Sequence, residues 1–128
     1  MNTATAPRDI ADDGGNDVLQ AIVGVRLTSV QFVLNYLILG FDQKGALTTL
    51  VWPILVGPDR ELRYGDGGYR DRLCELIERI VKRVEVSSEE TIAISFDDGS
   101  EIHMPLRTYA ARGERAIFSG AKHILCAW

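Results

Sequence analysis

The sequence predicts an α+β domain: a mostly antiparallel sheet of about six to seven strands, formed by two related β-meanders around one main helix. Three observations predict it. Short β-branched or alternating segments recur along the chain, which is the signature of strands. One window, "YRDRLCELIERIVK", changes to a helical period. And "LGFDQKGALTTLVWP" in the first half is echoed by "ISFDDGSEIHMP" in the second.

Taken in order, residues 1–17 are rich in Ala, Thr, Asp and Gly with no apolar period. They read as a flexible acidic arm that cannot repay the entropy of ordering, leaving 18–128 as a single α+β domain. "VRLTSVQF", "YLILGFD" and "ALTTLVW" then read as three strands of a meander, separated by turn signals at Leu34-Asn35 and at Gln43-Lys44-Gly45. Pro53 removes a ladder donor and marks the end of the third. The stretch from Val56 to Gly68 holds Gly57, Pro58, Gly65, Gly67 and Gly68 and reads as an irregular loop.

In the helical window Tyr69, Leu73, Leu76, Ile77, Ile80 and Val81 fall on one face. Glu75 with Arg79 and Glu78 with Lys82 are i,i+4 pairs in the favourable orientation, and Asp66 or Asp71 suits the N-terminal end. Val81 to Val86, "VKRVEV", alternates as well, so a strand competes with the end of the helix. "TIAISF" and "EIHMPL" alternate cleanly. The tail, "ERAIFSGAKHILCAW", reads as a last hairpin turning near Gly120, with Trp128 tied into the sheet.

"ISFDDGSEIHMPL" is the most chemical stretch of the chain, with two aspartates, a glutamate and a histidine close together. The echo separates a turn from a metal site. Phe41 matches Phe96, Asp42 matches Asp97, Gly45 matches Gly99 and Pro53 matches Pro105, whereas the second Asp, the Glu and the His have no counterparts. What is shared is what a hairpin needs; the ligand spacing of a calcium loop is absent. The stretch reads as a turn with its acids in water. His103 and His123 lack an acidic or sulfur partner at ligand spacing, so a polar contact of His103 with Glu101 is the expectation. Cys74 and Cys126 read as small buried hydrophobes.

No Ser-His-Asp order, nucleophile elbow, H-E-x-x-H or paired-carboxylate pattern can be assembled. No residue is singled out as catalytic, metal-binding or cofactor-binding, and no cofactor is expected. "RYGDGGYR" lacks the Lys-Ser/Thr of a phosphate loop. It does carry Arg63, Tyr64, Tyr69 and Arg70, and aromatic residues with Arg are the composition favoured at binding hot spots. "RTYAARGER" offers Arg107, Tyr109 and Arg112 for the same reason. These seven are the candidate partner-binding residues.

The chain has 128 residues, 46% hydrophobic and 25% charged, with net charge −4. Most of that charge lies in residues 1–20, where Asp9, Asp12, Asp13 and Asp17 stand against Arg8. A nearly neutral body with an acidic arm repels phosphate backbones, so nucleic acid is not the expected partner. The start lacks the basic and apolar regions of a signal peptide. "VQFVLNYLILGF" is too short to span a bilayer, so no membrane partner is expected either. The expectation is a cytoplasmic protein with reduced thiols. The apolar content of "YLILGF" asks for cover on both faces of its sheet, which a homodimer would supply.

The frame "GVRLTSVQF … YLILGFD … IVKRVEV … ISFDDGSEIHMP" with a terminal "ILCAW" resembles small bacterial domains of unknown function that share two F-D-x-G-like hairpins and a final strand ending in Trp. Some of these look like immunity or accessory proteins of bacterial toxin systems. The resemblance implies an α+β fold with no assigned catalysis and carries no functional residue over. The expected function is a non-catalytic module that binds a protein partner. The alternative, a small enzyme or ligand-binding domain, would require a deep pocket with convergent polar groups and a buried titratable residue.

Overall fold

In a computed structural model, residues 18–87, 91–106, 116–120 and 124–127 are described. The acidic arm, Arg107, Tyr109, Arg112, His123, Trp128 and the side chain of Cys126 lie outside the described residues. A 3-10 turn at Gln20–Ile22 leads into β1 (Leu27–Val33), β2 (Tyr36–Phe41) and β3 (Gly45–Thr49). Next come β4 (Ile54–Val56), β5 (Glu61–Leu62) and the helix α1 (Tyr69–Glu75). The second half supplies β6 (Val81–Ser87), β7 (Thr91–Phe96), β8 (Glu101–Pro105), β9 (Ala116–Ser119) and β10 (Ile124–Ala127).

The chain is α+β and its strand pairs are antiparallel, but the strands form two sheets of five rather than one of six to seven. Their orders are β1-β2-β3-β9-β10 and β5-β4-β8-β7-β6. The chain changes sheets after Thr49, whose hydroxyl donates to the Val51 carbonyl. Pro53 has no N–H to continue the ladder, and β4 then pairs with β8 instead of β3. The Val56–Gly68 segment, expected as irregular, contains the return strand β5, closed by the Gly57 N–H donating to the Arg60 carbonyl at 2.9 Å. Each sheet is therefore a meander from one half of the chain completed by a hairpin from the other.

Period-two alternation buries one side of each sheet. Leu37, Leu39 and Phe41 of β2 point inward with Leu47 of β3 and Phe118 of β9. On the other sheet Ile92, Ile94 and Phe96 of β7 join Ile102 and Met104 of β8. Both inner faces, with Leu19, Ile22, Tyr69, Leu73 and Leu76, make one apolar cluster.

The helix is shorter than its apolar period suggests. It stops at Glu75 because tertiary hydrogen bonds outcompete the next helical turn. The N–H groups of Leu76, Ile77 and Arg79 bond three residues back, and Glu78 turns to φ 82 so that its N–H donates to the Leu27 carbonyl at 2.7 Å. Ile80, expected on the buried face, is 39% exposed, and Val81 already begins β6. The expected i,i+4 pairs do not form; Arg72 pairs with Glu75 at 3.0 Å and Arg79 with Asp98 at 3.7 Å. Gly68 holds the N-terminal cap position with no side-chain cap bond, while Asp71 stands in the first turn, where its charge suits that end as expected. Cys74, expected to be buried, is exposed.

The hydrogen bonds at the roots of the two meanders come in counterpart pairs. The Leu27 N–H donates to the Arg79 carbonyl at 3.0 Å, and the Val81 N–H to the Val25 carbonyl at 2.9 Å. The Gly24 N–H donates to the Val81 carbonyl, as Glu78 does to Leu27, and Gly24 and Glu78 share a positive φ. β1 and β6 shift register directly after Leu27 and Val81. Phe41 and Phe96 occupy matching places opposite those two residues. The expected matches of Gly45 with Gly99 and Pro53 with Pro105 do not follow the ladder. Lys44 and Gly99 make the equivalent turn bonds, to the carbonyls of Phe41 and Phe96, and Pro105 lies inside β8 while Pro53 lies between strands.

Candidate functional site

Two connections bring the aromatic residues together. The crossover between β3 and β4 carries Trp52, and the segment after β5 carries Tyr64. That second segment is closed at its base: the Arg63 N–H donates to Asp66 Oδ2 at 2.8 Å and the Asp66 N–H to the Arg63 carbonyl at 2.9 Å. Tyr64 is thereby held over Trp52, their rings stacked at 4.1 Å with an interplanar angle of 14°. Tyr69, from the first turn of α1, meets Tyr64 edge-on at 5.9 Å and 89°. Such offset and T-shaped contacts follow the ring quadrupoles and add to the apolar burial.

Tyr69 is the internal support of this group. It is 2% exposed and its hydroxyl donates to the Pro53 carbonyl at 2.5 Å. Burial, and then the neighbouring Tyr64, push its pKa well above the ordinary tyrosine value, so it remains a donor. A group whose folded pKa is raised contributes stability below its unfolded pKa and loses it as pH rises. Tyr69→Phe orphans the Pro53 carbonyl and is expected to cost about 1–3 kcal/mol at neutral pH. It should also blunt the loss of stability above about pH 10. Urea titrations of both proteins at neutral and alkaline pH check this; equal stability at neutral pH counts against the hydrogen bond.

Arg70 completes the group on its outer side. Its guanidinium lies 5.6 Å from the Phe32 ring centroid and 5.8 Å from that of Tyr64, and Nη2 donates to the Tyr64 hydroxyl at 3.4 Å. Among the described residues Arg70 is in no ion pair. Phe32, Val33, Leu34, Trp52, Tyr64 and Arg70 line a depression of about 320 Å³. Leu34, at its rim, is 87% exposed and adds apolar surface beside the aromatic rings.

Of the candidate residues, Tyr64, Tyr69 and Arg70 are brought together, Tyr69 as support and the other two as surface. Arg63 is not part of the group: it pairs with Glu61 at 2.7 Å. Trp52, Phe32 and Leu34 were not among the candidates. Trp52 and Phe32 fall inside segments that read as strands and pack partly against the core, so no local pattern marks them as surface; Leu34 alone stands at a turn signal.

The stretch around Asp97 is the β7–β8 hairpin, with Gly99 at φ 89. Its acids are not all in water. Asp97 is exposed, but Asp98 accepts the Ser100 N–H at 2.9 Å and pairs with Arg72 at 3.5 Å and Arg79 at 3.7 Å. Partial burial alone raises the Asp98 pKa; Ser100 and the two guanidinium charges outweigh it and hold the carboxyl below the ordinary aspartate range. Asp98 thus ties the hairpin to α1. His103 Nε2 lies 2.7 Å from Glu101 Oε1 on the same strand, both half-exposed. Among the described residues no group of three or more His, Cys, Asp or Glu is placed to hold a metal ion.

A second depression, of about 440 Å³, lies between the β4–β5 hairpin and α1. Arg72, at its wall, is already engaged by Glu75, Asp98 and the Ser100 hydroxyl. No helix among the described residues is long and apolar enough to cross a membrane. No family model, curated protein or solved structure matches this chain.

Proposed function

We propose that this chain is a non-catalytic interaction module that grips a protein partner through Trp52, Tyr64 and Arg70, with the exposed Leu34 beside them. The observation that carries the reading is the surface ring stack next to a guanidinium that has no carboxylate partner among the described residues. Trp, Tyr and Arg dominate interface hot spots. Tyr64 is fixed by the closed turn beneath it and by two aromatic neighbours, so little rotamer entropy remains to be lost on binding. Against an enzyme, the strongly shifted tyrosine is used up in an internal hydrogen bond, and Arg72 at the wall of the larger depression is held by Glu75, Asp98 and the Ser100 hydroxyl.

An accessory or immunity role in a bacterial toxin system, as the sequence resemblance implies, is one instance of such a module. A reducing, cytoplasmic setting suits the exposed free thiol of Cys74. The counterpart bonds of the two meanders support reading the halves as an internal repeat.

The test is affinity capture from the native host, identification by mass spectrometry, and calorimetric titration of the purified partner. Arg70→Glu and Trp52→Ala are each expected to cost about 2 kcal/mol, or about 30-fold in affinity. Arg70→Glu leaves the core untouched, so its circular dichroism and thermal midpoint should match the parent protein. Undiminished binding by a folded Arg70→Glu chain removes the platform from the interface.

A further inference from the structure

The outer faces of the two sheets differ in chemistry although the sheets are built alike. Residues paired across a ladder share a face, so the registers identify each outer surface. On the sheet containing β6, β7 and β8 the outward positions include Arg83, Glu85, Glu101, His103 and Glu61. On the sheet containing β1, β2 and β3 they include Gln31, Val33, Tyr36, Ile38, Thr48 and Ile117, and none of the outward positions on β1, β2, β3 and β9 is charged. The matching ladder positions make the contrast a comparison within one molecule. Glu85 and His103 both flank Ala93, while Gln31 and Thr48 both flank Ile38. The charged face is what a solvated sheet carries; the other face lacks charge at the matching ladder positions, and the Arg26–Asp42 pair lies just beyond the ends of β1 and β2.

We propose that the uncharged outer face of the β1-β2-β3-β9-β10 sheet is a docking surface for a second copy of this chain, forming a two-fold dimer by sheet-on-sheet packing. A face without charge meets its own copy with no like-charge repulsion and no buried unpaired ion, whereas the opposite sheet would suffer both. Five strands about 4.8 Å apart and about 17 Å long give a footprint of about 400 Å² per copy. With side-chain relief the total reaches about 1,000 Å², the lower bound of a specific interface. β3 is the middle strand, so a two-fold axis through the centre of the face brings Thr48 near its own copy. Phe32 and Val33 are successive residues of β1 and face opposite sides of the sheet. The dimer therefore covers Val33 at the edge of that depression but leaves Phe32, with Arg70 and Tyr64 beside it, on the opposite side and presents them twice.

Sedimentation equilibrium of the full chain is expected to give twice the chain mass at about 100 µM. Thr48→Lys should shift the dissociation constant upward at least tenfold. Mixing Thr48→Lys with Thr48→Glu should restore a dimer, a result that misfolding cannot produce. His103→Lys, on the charged sheet, should leave the dimer unchanged. The inference is overturned by a parent chain that stays monomeric at that concentration, even if the face proves to hold a different protein. It is equally overturned by a dimer indifferent to Thr48→Lys, by one that His103→Lys disrupts to the same degree, or by a Lys/Glu mixture that stays monomeric. None of these outcomes bears on the aromatic group, whose test is the Arg70→Glu titration.

Discussion

Gly45→Ala is expected to destabilise the protein by about 3 kcal/mol or more. Gly45 opens β3 at φ 138, and a Cβ built on it lies 2.5 Å from the Ser119 carbonyl oxygen and 2.9 Å from Phe118 Cζ. The backbone conformation alone costs an L-residue about 1–2 kcal/mol. The clash adds to this because the oxygen belongs to β9, which pairs with β3 at this level, and a ladder cannot retreat without breaking. The contact is where the second half of the chain docks onto the first meander, so the damage falls on the junction of the two halves. Gly65→Ala is the control: φ is 97 there too, but nothing lies within 4 Å of the added carbon. Its cost should be the conformational part alone, about 1 kcal/mol. Urea denaturation of the two variants separates strain from collision, and equal losses would mean that β9 does not lie against Gly45.

How far the fold was legible depends on whether local pattern or long-range pairing decided it. β2, β7 and β8 stand where alternation puts them, because each has one face against the core and one outside, and a slip of one residue would exchange them. The division into two sheets was not legible. Alternation names an inner face but not the neighbour, and the hairpin β4–β5 joins β8 across a long stretch of chain. The helix end escapes the local pattern for a related reason. Leu76, Ile77 and Ile80 have a helical spacing, yet the Leu27 carbonyl offered the Glu78 N–H a partner from another element, which no local window contains.

The candidate site divides in the same way. Tyr64 and Arg70 were visible as a composition, in a glycine-rich segment with aromatic and Arg side chains. Phe32 reaches the same place from the end of β1 and Trp52 from the crossover after Thr49, segments distant in sequence. The hairpin alone predicts an aspartate facing water, but Asp98 turns to Arg72 and Arg79, which lie on and just after α1. The echo between Asp97-Asp98-Gly99 and Asp42-Gln43-Lys44 identified the turns correctly but aligned their glycines one residue off the ladder.

The phenylalanines at the ends of β2 and β7 are where that echo makes its strongest demand. Phe41 and Phe96 are each 1% exposed. Phe41 stands opposite Leu27 and Phe96 opposite Val81, the first residues of their meanders, and each carbonyl accepts the N–H that closes the following turn. Truncating a buried phenylalanine removes its transfer energy and leaves a cavity, together about 3–5 kcal/mol. Matching surroundings predict matching losses, so Phe41→Ala and Phe96→Ala should each lower the thermal midpoint by about 10–20 °C. Domains of this size carry about 5–15 kcal/mol in all, so the double variant should show no cooperative transition. Leu34→Ala, at an exposed rim, should leave the midpoint where it was. Calorimetry on the four proteins gives the answer: if one phenylalanine costs less than about 1 kcal/mol while the other unfolds the chain, the two halves do not share the core equally and the correspondence between them is confined to the backbone.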